Sequence, residues 1–544
     1  MLWLNTLRHL QARQIMRRPV AKLRRRIPAR PMVDGARLRE DYLQRRTFFP
    51  AQPRRISQGN FVFAGIAHPL TMPLRWYDRT KPKLWLYNLH YLDYLAELPG
   101  DLAAQVLDDW IDCNVDSRHD GWDPYPVSRR VVSVLRWMIQ REMPAPSPRW
   151  LASLYAQARH LAANLEYHLM ANHLAENARA LIHAGLAFRG WEAERWLGVG
   201  RAIMREQMRE QVLADGGHFE RSPMYHSIVL EGLLDLINFG VRLDPAFLDE
   251  LSATAERMLA HLKRVTHPDG GIALLNDSAH DIAPEPRELI AYANRLGLSS
   301  DEDREHGWAR ASGLVFARDL ADGHYVVADL GPIGPDYQPG HAHADTLGFE
   351  LSLFGHRVAV DSGVSDYAPS PSRRRARSTM AHNTVVVDGV DQSEMWSAFR
   401  VGRRAYPFGQ TFRAIHNVVK FGASHKGYLR LPSPCVHRRQ FRWRRDALSI
   451  SDQLLGRGTH RVQSLLHLHP TIRGERISPT ELRLCDSGGR EMALLRARGE
   501  RSDWRCSEGV YSPTLGAEIP NQVWSLELAA RLPIKLGYEL TWRE

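Results

Sequence analysis

The sequence predicts two successive domains of different class, an all-α domain and then an antiparallel β-sandwich. Three observations predict this. From Leu84 to about residue 265, apolar side chains recur three and four apart, the period of a helix face, and the connections are short and carry Gly or Pro. From about Leu314 the period changes to two, the alternation of a half-buried strand. Between the two patterns lies Leu298-Ser299-Ser300-Asp301-Glu302-Asp303, a polar, charged link. A chain of 544 residues is also too long for one compact core and divides into two or three domains. The expected boundaries are 1–82 for a basic arm and irregular segment, 83–303 for the helical domain, and 304–544 for the sandwich.

Residues 1–30 interleave apolar side chains with Arg8, Arg13, Arg17 and Arg18 and then reach Lys22-Leu23-Arg24-Arg25-Arg26. No unbroken apolar core is present, so the segment does not read as a secretory signal. It reads as a basic amphipathic helix resting on a membrane surface, or as a solvated or domain-packing arm. Residues 31–82, rich in Pro and Arg, show no steady period and are expected to be irregular with one or two short elements. Leu84 to Trp110 reads as helix, and Trp122-Asp123-Pro124-Tyr125-Pro126 breaks the chain before a helix through Val134 and Trp137. Further helices are expected near 148–168, 170–188, 191–213, 223–240 and 246–265. Ser222-Pro223 supplies a cap and a first-position proline for the fourth of these, which places Tyr225 in its first turn. There the positive end of the helix dipole favours a phenolate. Strands are then read at 315–318 and 325–330, in the two segments within 340–363 and 380–389, and at 441–444, 448–451, 465–469 and 524–528. No stretch of 18 apolar residues exists, so no transmembrane helix is expected.

The four cysteines (Cys113, Cys435, Cys485, Cys506) are scattered without a CxxC pair, which argues against a disulfide scaffold and a cysteine metal site. Three of them fall late in the chain, leaving room for a single disulfide. A net charge of +11 and a pI near 9.6 point to a polyanionic partner: an acidic polysaccharide, nucleic acid or an anionic membrane.

Chemistry concentrates in a few stretches. Gly340-His341-Ala342-His343-Ala344-Asp345 precedes a strand-like run that ends in Val358-Ala359-Val360-Asp361-Ser362-Gly363. Met380-Ala381-His382-Asn383-Thr384 opens another. His343, Asp361 and His382, two imidazoles and a carboxylate near strand ends, suit zinc or a similar divalent ion. His341 is left over as a candidate catalytic imidazole. In Asn172-His173-Leu174-Ala175-Glu176 the three polar residues share one helix face. Ser370 to Thr379 carries Arg373, Arg374, Arg375 and Arg377, an expected loop that either binds anions or forms a solvated tip.

Taken in order, a helical domain, Asn172-His173-x-x-Glu176, Ser222-Pro223-Met224-Tyr225-His226, the two-histidine stretch with Asp361-Ser362-Gly363, and Ala381-His382-Asn383 through Asp388-Gly389 resemble the heparinase II/III-like polysaccharide lyases and the related alginate lyases. The resemblance covers about residues 80–540. It implies an α+β multidomain fold, an incomplete α/α toroid followed by antiparallel β-sheets, and cleavage of uronic-acid polysaccharides by β-elimination. It implies Asn172 and His173 as the pair that neutralises the uronate carboxylate, and Tyr225 and His341 as the catalytic tyrosine and histidine. It implies His343, Asp361 and His382 as ligands of a chiefly structural ion, zinc being expected, and Arg377 as a residue that meets substrate charge. Glu176 and Glu220 complete the expected substrate-facing set. They are also an example of the two carboxylates that the rival reading, a glycoside hydrolase on the same scaffold, would need. A third reading is a non-catalytic glycan-binding protein of polymer assembly. The expected partner is an acidic polysaccharide and not nucleic acid. Without a signal sequence, the expected location is cytoplasmic with a role in exopolysaccharide metabolism. The periplasm, common for the resembled family, is the alternative.

Overall fold

The computed structural model describes residues 2–24, 36–43, 48–143, 145–300, 304–500 and 503–543. Part of the basic run at 25–26 and part of the link at 301–303 lie outside the described residues. The architecture is an incomplete α/α toroid followed by an antiparallel β-sandwich.

The toroid helices are Lys83–Tyr91, Gly100–Cys113, Pro124–Gln140, Pro148–Ala163, Ala171–Ala187, Trp191–Gln211, Pro223–Asn238, Pro245–Arg264 and Pro286–Arg295. The helix expected from Leu84 to Trp110 is in fact two. Leu92 adopts a left-handed backbone (φ 55°) that ends the first helix, and Pro99 sets the start of the second. Trp122 to Pro126 does not only break the chain, because Pro124 is itself the first residue of the next helix. Pro286–Arg295 was not expected, since only ten residues carry its period. Ser222 caps Pro223–Asn238 as the sequence predicts, its Oγ accepting the Tyr225 N–H at 3.2 Å. Such a cap is worth about 1 kcal/mol. Apolar helix faces close on one core with residues of the small sheet Ile56–Pro69, where Phe61 and Phe63 pack against Tyr94 and Trp85.

Among the described residues the sandwich holds three larger sheets of five, eight and four strands and a two-stranded ladder, Met395–Trp396 with Arg400–Val401, all antiparallel. In Cys435–Arg444 the alternation is direct: Cys435, His437, Arg439, Phe441 and Trp443 point inward and are buried. All three sheets contribute to one apolar core that includes Leu351, Phe441, Val462 and Trp524. The inward polar pair of that strand is compensated. Arg439 and His437 both bond the buried carboxylate of Asp452, as burial of a charge requires. All four cysteines are unpaired. Among the described residues no helix is long and apolar enough to cross a membrane.

The N-terminal arm packs between domains. Helices Leu2–Leu7 and Ala12–Arg24 bond to the sandwich, through Thr6 to Val401 O and Gln14 to Tyr337 O, and to the toroid, through Arg13 to Glu206. Their outward face leaves Trp3, Leu4, Ile15, Met16 and Leu23 exposed.

Candidate active site

A cleft of about 660 Å³ lies where toroid and sandwich meet, lined by Asn172, His173, Tyr225 and His341 together. Three elements far apart in sequence therefore deliver the expected catalytic set to one space.

The first turn of Ala171–Ala187 presents Asn172 and His173. Met170 and Ala171, just before them, both have positive φ (62° and 51°). Left-handed conformations at non-glycine residues cost on the order of 1–3 kcal/mol each and persist where surrounding structure enforces them. His173 Nδ1 bonds Glu166 Oε1 at 3.1 Å, and Asn177 holds Glu166 in place through its amide. Burial alone would lower the His173 pKa, but the Glu166 carboxylate raises it on balance, which favours a cationic ring facing an anionic substrate.

Tyr225 and His341 meet across the domain junction with ring centroids 4.0 Å apart. Tyr225 Oη bonds Tyr367 Oη at 3.4 Å. Burial pushes the Tyr225 phenol well above its ordinary pKa, with Tyr367 and Asp277 adding to the shift. The resting group is thus a protonated donor, and the phenolate that the helix dipole would favour is overridden by desolvation. His341 Nδ1 bonds Asp277 Oδ2 at 2.8 Å, and its Nε2 lies 3.5 Å from the Glu220 carboxylate without a hydrogen bond.

Asp277 is the residue that sequence reasoning missed. It is fully buried in Asn276-Asp277-Ser278, a polar triplet after the apolar run Ile272–Leu275. Its Oδ1 accepts from His343 Nε2 at 2.8 Å, and Arg373 binds both of its oxygens. Burial by itself would raise its pKa. Arg373 and the two histidine bonds instead hold it well below the ordinary carboxylate value. One carboxylate thus orients both the cleft histidine and the histidine behind it. The signal available in sequence was weak, since a polar triplet after an apolar run reads as an ordinary turn.

Behind the cleft, His343, Asp361 and His382 are buried, with one ligand atom from each lying within 4.8 Å of the others. His382 Nδ1 is 2.7 Å from Asp361 Oδ2. His343 Nδ1, His382 Nε2 and both oxygens of neighbouring Asp345 are buried without hydrogen-bond partners. Burial also lowers His343 to a pKa of about 3, so its ring is neutral, the form that binds metals. The donor set fits a divalent ion. The Asp277–His343 bond is then the outer support that metal-binding imidazoles commonly have.

Three expected substrate contacts are placed elsewhere. Arg377 is buried, its guanidinium donating to the carbonyls of Ala342 and Ser397. The segment read as a loop is partly the helix Pro371–Ala376, capped by Ser370, which turns Arg373 and Arg377 inward. Glu176 is buried and paired with Arg179 at 3.3 Å. Glu220 is buried beneath His341, with its pKa raised by burial although His341 and His173 pull it back. None of the three lines the cleft.

Comparison with known proteins agrees with this architecture. Residues 82–293 match the profile described as Heparinase II/III N-terminus, and residues 301–534 match Heparinase II/III-like, C-terminal. Together they take in most of the chain, which belongs to the heparinase II/III-like family. It is 26% identical over 316 residues to a heparin-sulfate lyase of Bacteroides stercoris, an alignment covering 52% of this chain and 46% of that protein. It is 25% identical over 353 residues to the FtsZ-localized protein C of Caulobacter vibrioides, covering 62% of this chain and 59% of the other. The solved structure of a heparan sulfate lyase mutant from Pedobacter heparinus shares the fold at a TM-score of 0.64 and 18% identity, over 97% of this chain and 88% of that one. The chain spans about half the length of the curated lyase relatives it matches.

Proposed function

We propose that this protein is a polysaccharide lyase that cleaves a uronate-containing acidic polysaccharide by β-elimination. The observation that carries the reading is the contact of the Tyr225 phenol and the His341 imidazole in the same cleft as the Asn172 amide and His173. Elimination needs these parts. The proton beside a uronate carboxylate is not acidic while that carboxylate is charged, so Asn172 and cationic His173 neutralise it and stabilise the enolate-like charge that develops. His341, held through Nδ1 by Asp277, offers Nε2 to take the C5 proton. Tyr225, kept protonated by burial, gives its proton to the departing O4 as the C4–O4 bond breaks and the C4–C5 double bond forms. Reprotonation of Tyr225 from His341, in contact with it, resets the pair.

The hydrolase reading needs two carboxylates facing the sugar. Glu176 and Glu220 are both buried and neither lines the cleft, Glu220 lying 3.5 Å behind His341. The relatives named as heparin-sulfate lyases support the same class of substrate. Zinc is the ion proposed for His343, Asp361 and His382, because two imidazoles and one carboxylate are its common donors. When bound it would supply folding energy and fix the turn segment at 340–348 that carries His341. A screen of acidic polysaccharides for the ultraviolet absorbance of an unsaturated uronate tests the proposal. Cleavage that yields only saturated ends would replace it with hydrolysis.

A further inference from the structure

The N-terminal arm lies before residue 82, where the first family profile begins, yet it forms part of the cleft wall. Helix Leu2–Leu7 is fixed to the sandwich: Thr6 Oγ1 donates to Val401 O at 3.1 Å, Trp396 Nε1 donates to Thr6 Oγ1 at 3.1 Å, and the Trp3 and Trp396 rings stand 4.8 Å apart. Helix Ala12–Arg24 is fixed to both domains, by Gln14 to Tyr337 O and by Arg13, which lies 4.4 Å over the Tyr167 ring. This brings Arg18 to the cleft that holds Tyr225 and His341, where Arg400 of the sandwich also stands.

The cations of this cleft fall into two groups. Lys83, Arg55, Arg129 and Arg404 each have a carboxylate within 4.0 Å: Asp123 at 3.2 Å, Asp93 at 3.7 Å, Glu176 at 3.7 Å and Asp336 at 3.3 Å respectively. Arg18 and Arg400 have none among the described residues. Both are partly buried and line the same cleft; burial disfavours the charge on Arg400, and the Arg18 charge adds to that. Two like charges drawn partly out of water are unfavourable until an anion comes between them. Both also line a second groove that continues from the cleft past Tyr87, Leu169 and His173. They therefore stand where a chain threaded through the catalytic cleft would pass out of it.

We infer that Arg18 and Arg400 form an anion subsite, completed by the N-terminal arm, that holds a carboxylate or sulfate on a sugar beyond the one being cleaved. The inference rests on the polysaccharide reading of the cleft. It is tested by a binding measurement that does not require turnover.

The experiment uses the full-length Tyr225→Phe chain and titrates a heparan sulfate octasaccharide by calorimetry. It is repeated after Arg18→Gln, Arg400→Gln, both together, and Arg374→Gln, which alters an exposed arginine outside the cleft. Each cleft substitution should raise Kd by about tenfold, the loss typical of one charge-assisted hydrogen bond. The double variant should lose less than the product of the two, because one anion is shared. Arg374→Gln should change nothing, and the thermal midpoint of Arg400→Gln should be no lower than its parent's, because a like-charge repulsion is removed. A carboxyl-reduced and a desulfated octasaccharide identify the anion: the one that binds all variants alike has lost the group the arginines hold. If both single variants bind within twofold of the parent, or both modified probes still depend on the arginines, the subsite is refuted. Absence of unsaturated product with unaltered protein on every polymer would overturn the lyase reading separately, leaving these binding ratios to judge the subsite.

Discussion

Asp277→Asn perturbs the residue that joins the cleft to the buried ligand set. Its carboxylate accepts from His341 Nδ1 and His343 Nε2, each at 2.8 Å, and from both terminal nitrogens of Arg373, with no exposure to solvent. The amide keeps the shape, removes the charge and replaces one acceptor with a donor. His341 can then settle in the wrong tautomer, with its proton on Nε2 where a lone pair is needed, and kcat should fall by roughly 10²–10⁴. Arg373, itself fully buried, loses its counter-ion, which should cost about 3–5 kcal/mol. The pH dependence follows from the depressed Asp277 pKa. A carboxylate depressed in the folded state stabilises fully above its unfolded pKa of about 4, and that stabilisation is lost as pH falls through the folded value. Urea midpoints of the unaltered protein should therefore drop below about pH 4, and the Asn variant should lack that part of the drop. Adding Arg373→Met should restore stability but not turnover, because it removes the orphaned charge without restoring the tautomer. Turnover of Asp277→Asn within about threefold of normal would refute the positioning role, since tautomer loss predicts far more.

Tyr225→Phe should lower kcat by about 10² or more with little change in thermal midpoint, because only a long 3.4 Å bond to Tyr367 is lost. Near-normal rates on the true substrate would remove Tyr225 from the mechanism. Protein prepared without a His-tag should contain close to one divalent ion per chain by elemental analysis, and His343→Ala should lose it. Chelation should lower the melting temperature more than it changes kcat, because a closed site adds folding energy; an unchanged metal content in His343→Ala would show the ligand set to be wrong. Substrate KM should rise with added salt, since the screening length is only ~8 Å near physiological ionic strength. A salt-independent KM would contradict a site built to receive polyanions.

The change of period at the domain junction was legible because helix and strand repeats differ by nearly a factor of two, and no tertiary contact is needed to see it. The cap at Ser222-Pro223 was legible for the same local reason. Ser370-Pro371 carries the same signal, yet the arginine run behind it drew the reading toward a loop, and so Arg373 and Arg377 were expected outside rather than buried. Asp277 was illegible because its meaning lies in partners 64, 66 and 96 residues away. Spacing along the chain cannot report a carboxylate shared by two histidines and an arginine from the far side of a domain boundary. The fates of Glu176 and Glu220 were hidden similarly: a carboxylate facing a sugar and one neutralised by a buried arginine look alike until Arg179 is placed.

The central claim is that the cleft performs elimination, and carboxyl reduction tests it most directly. The unaltered protein is given an acidic polysaccharide that it degrades and the same polymer with its uronate carboxylates reduced to alcohols. Product is followed by ultraviolet absorbance and by new reducing ends. Elimination predicts that each cleavage of the native polymer produces one double bond, and that the reduced polymer is not cleaved, because no carboxylate remains to stabilise the charge left by the C5 proton. New reducing ends without absorbance, or full activity on the reduced polymer, would contradict the account and assign the cleft to hydrolysis.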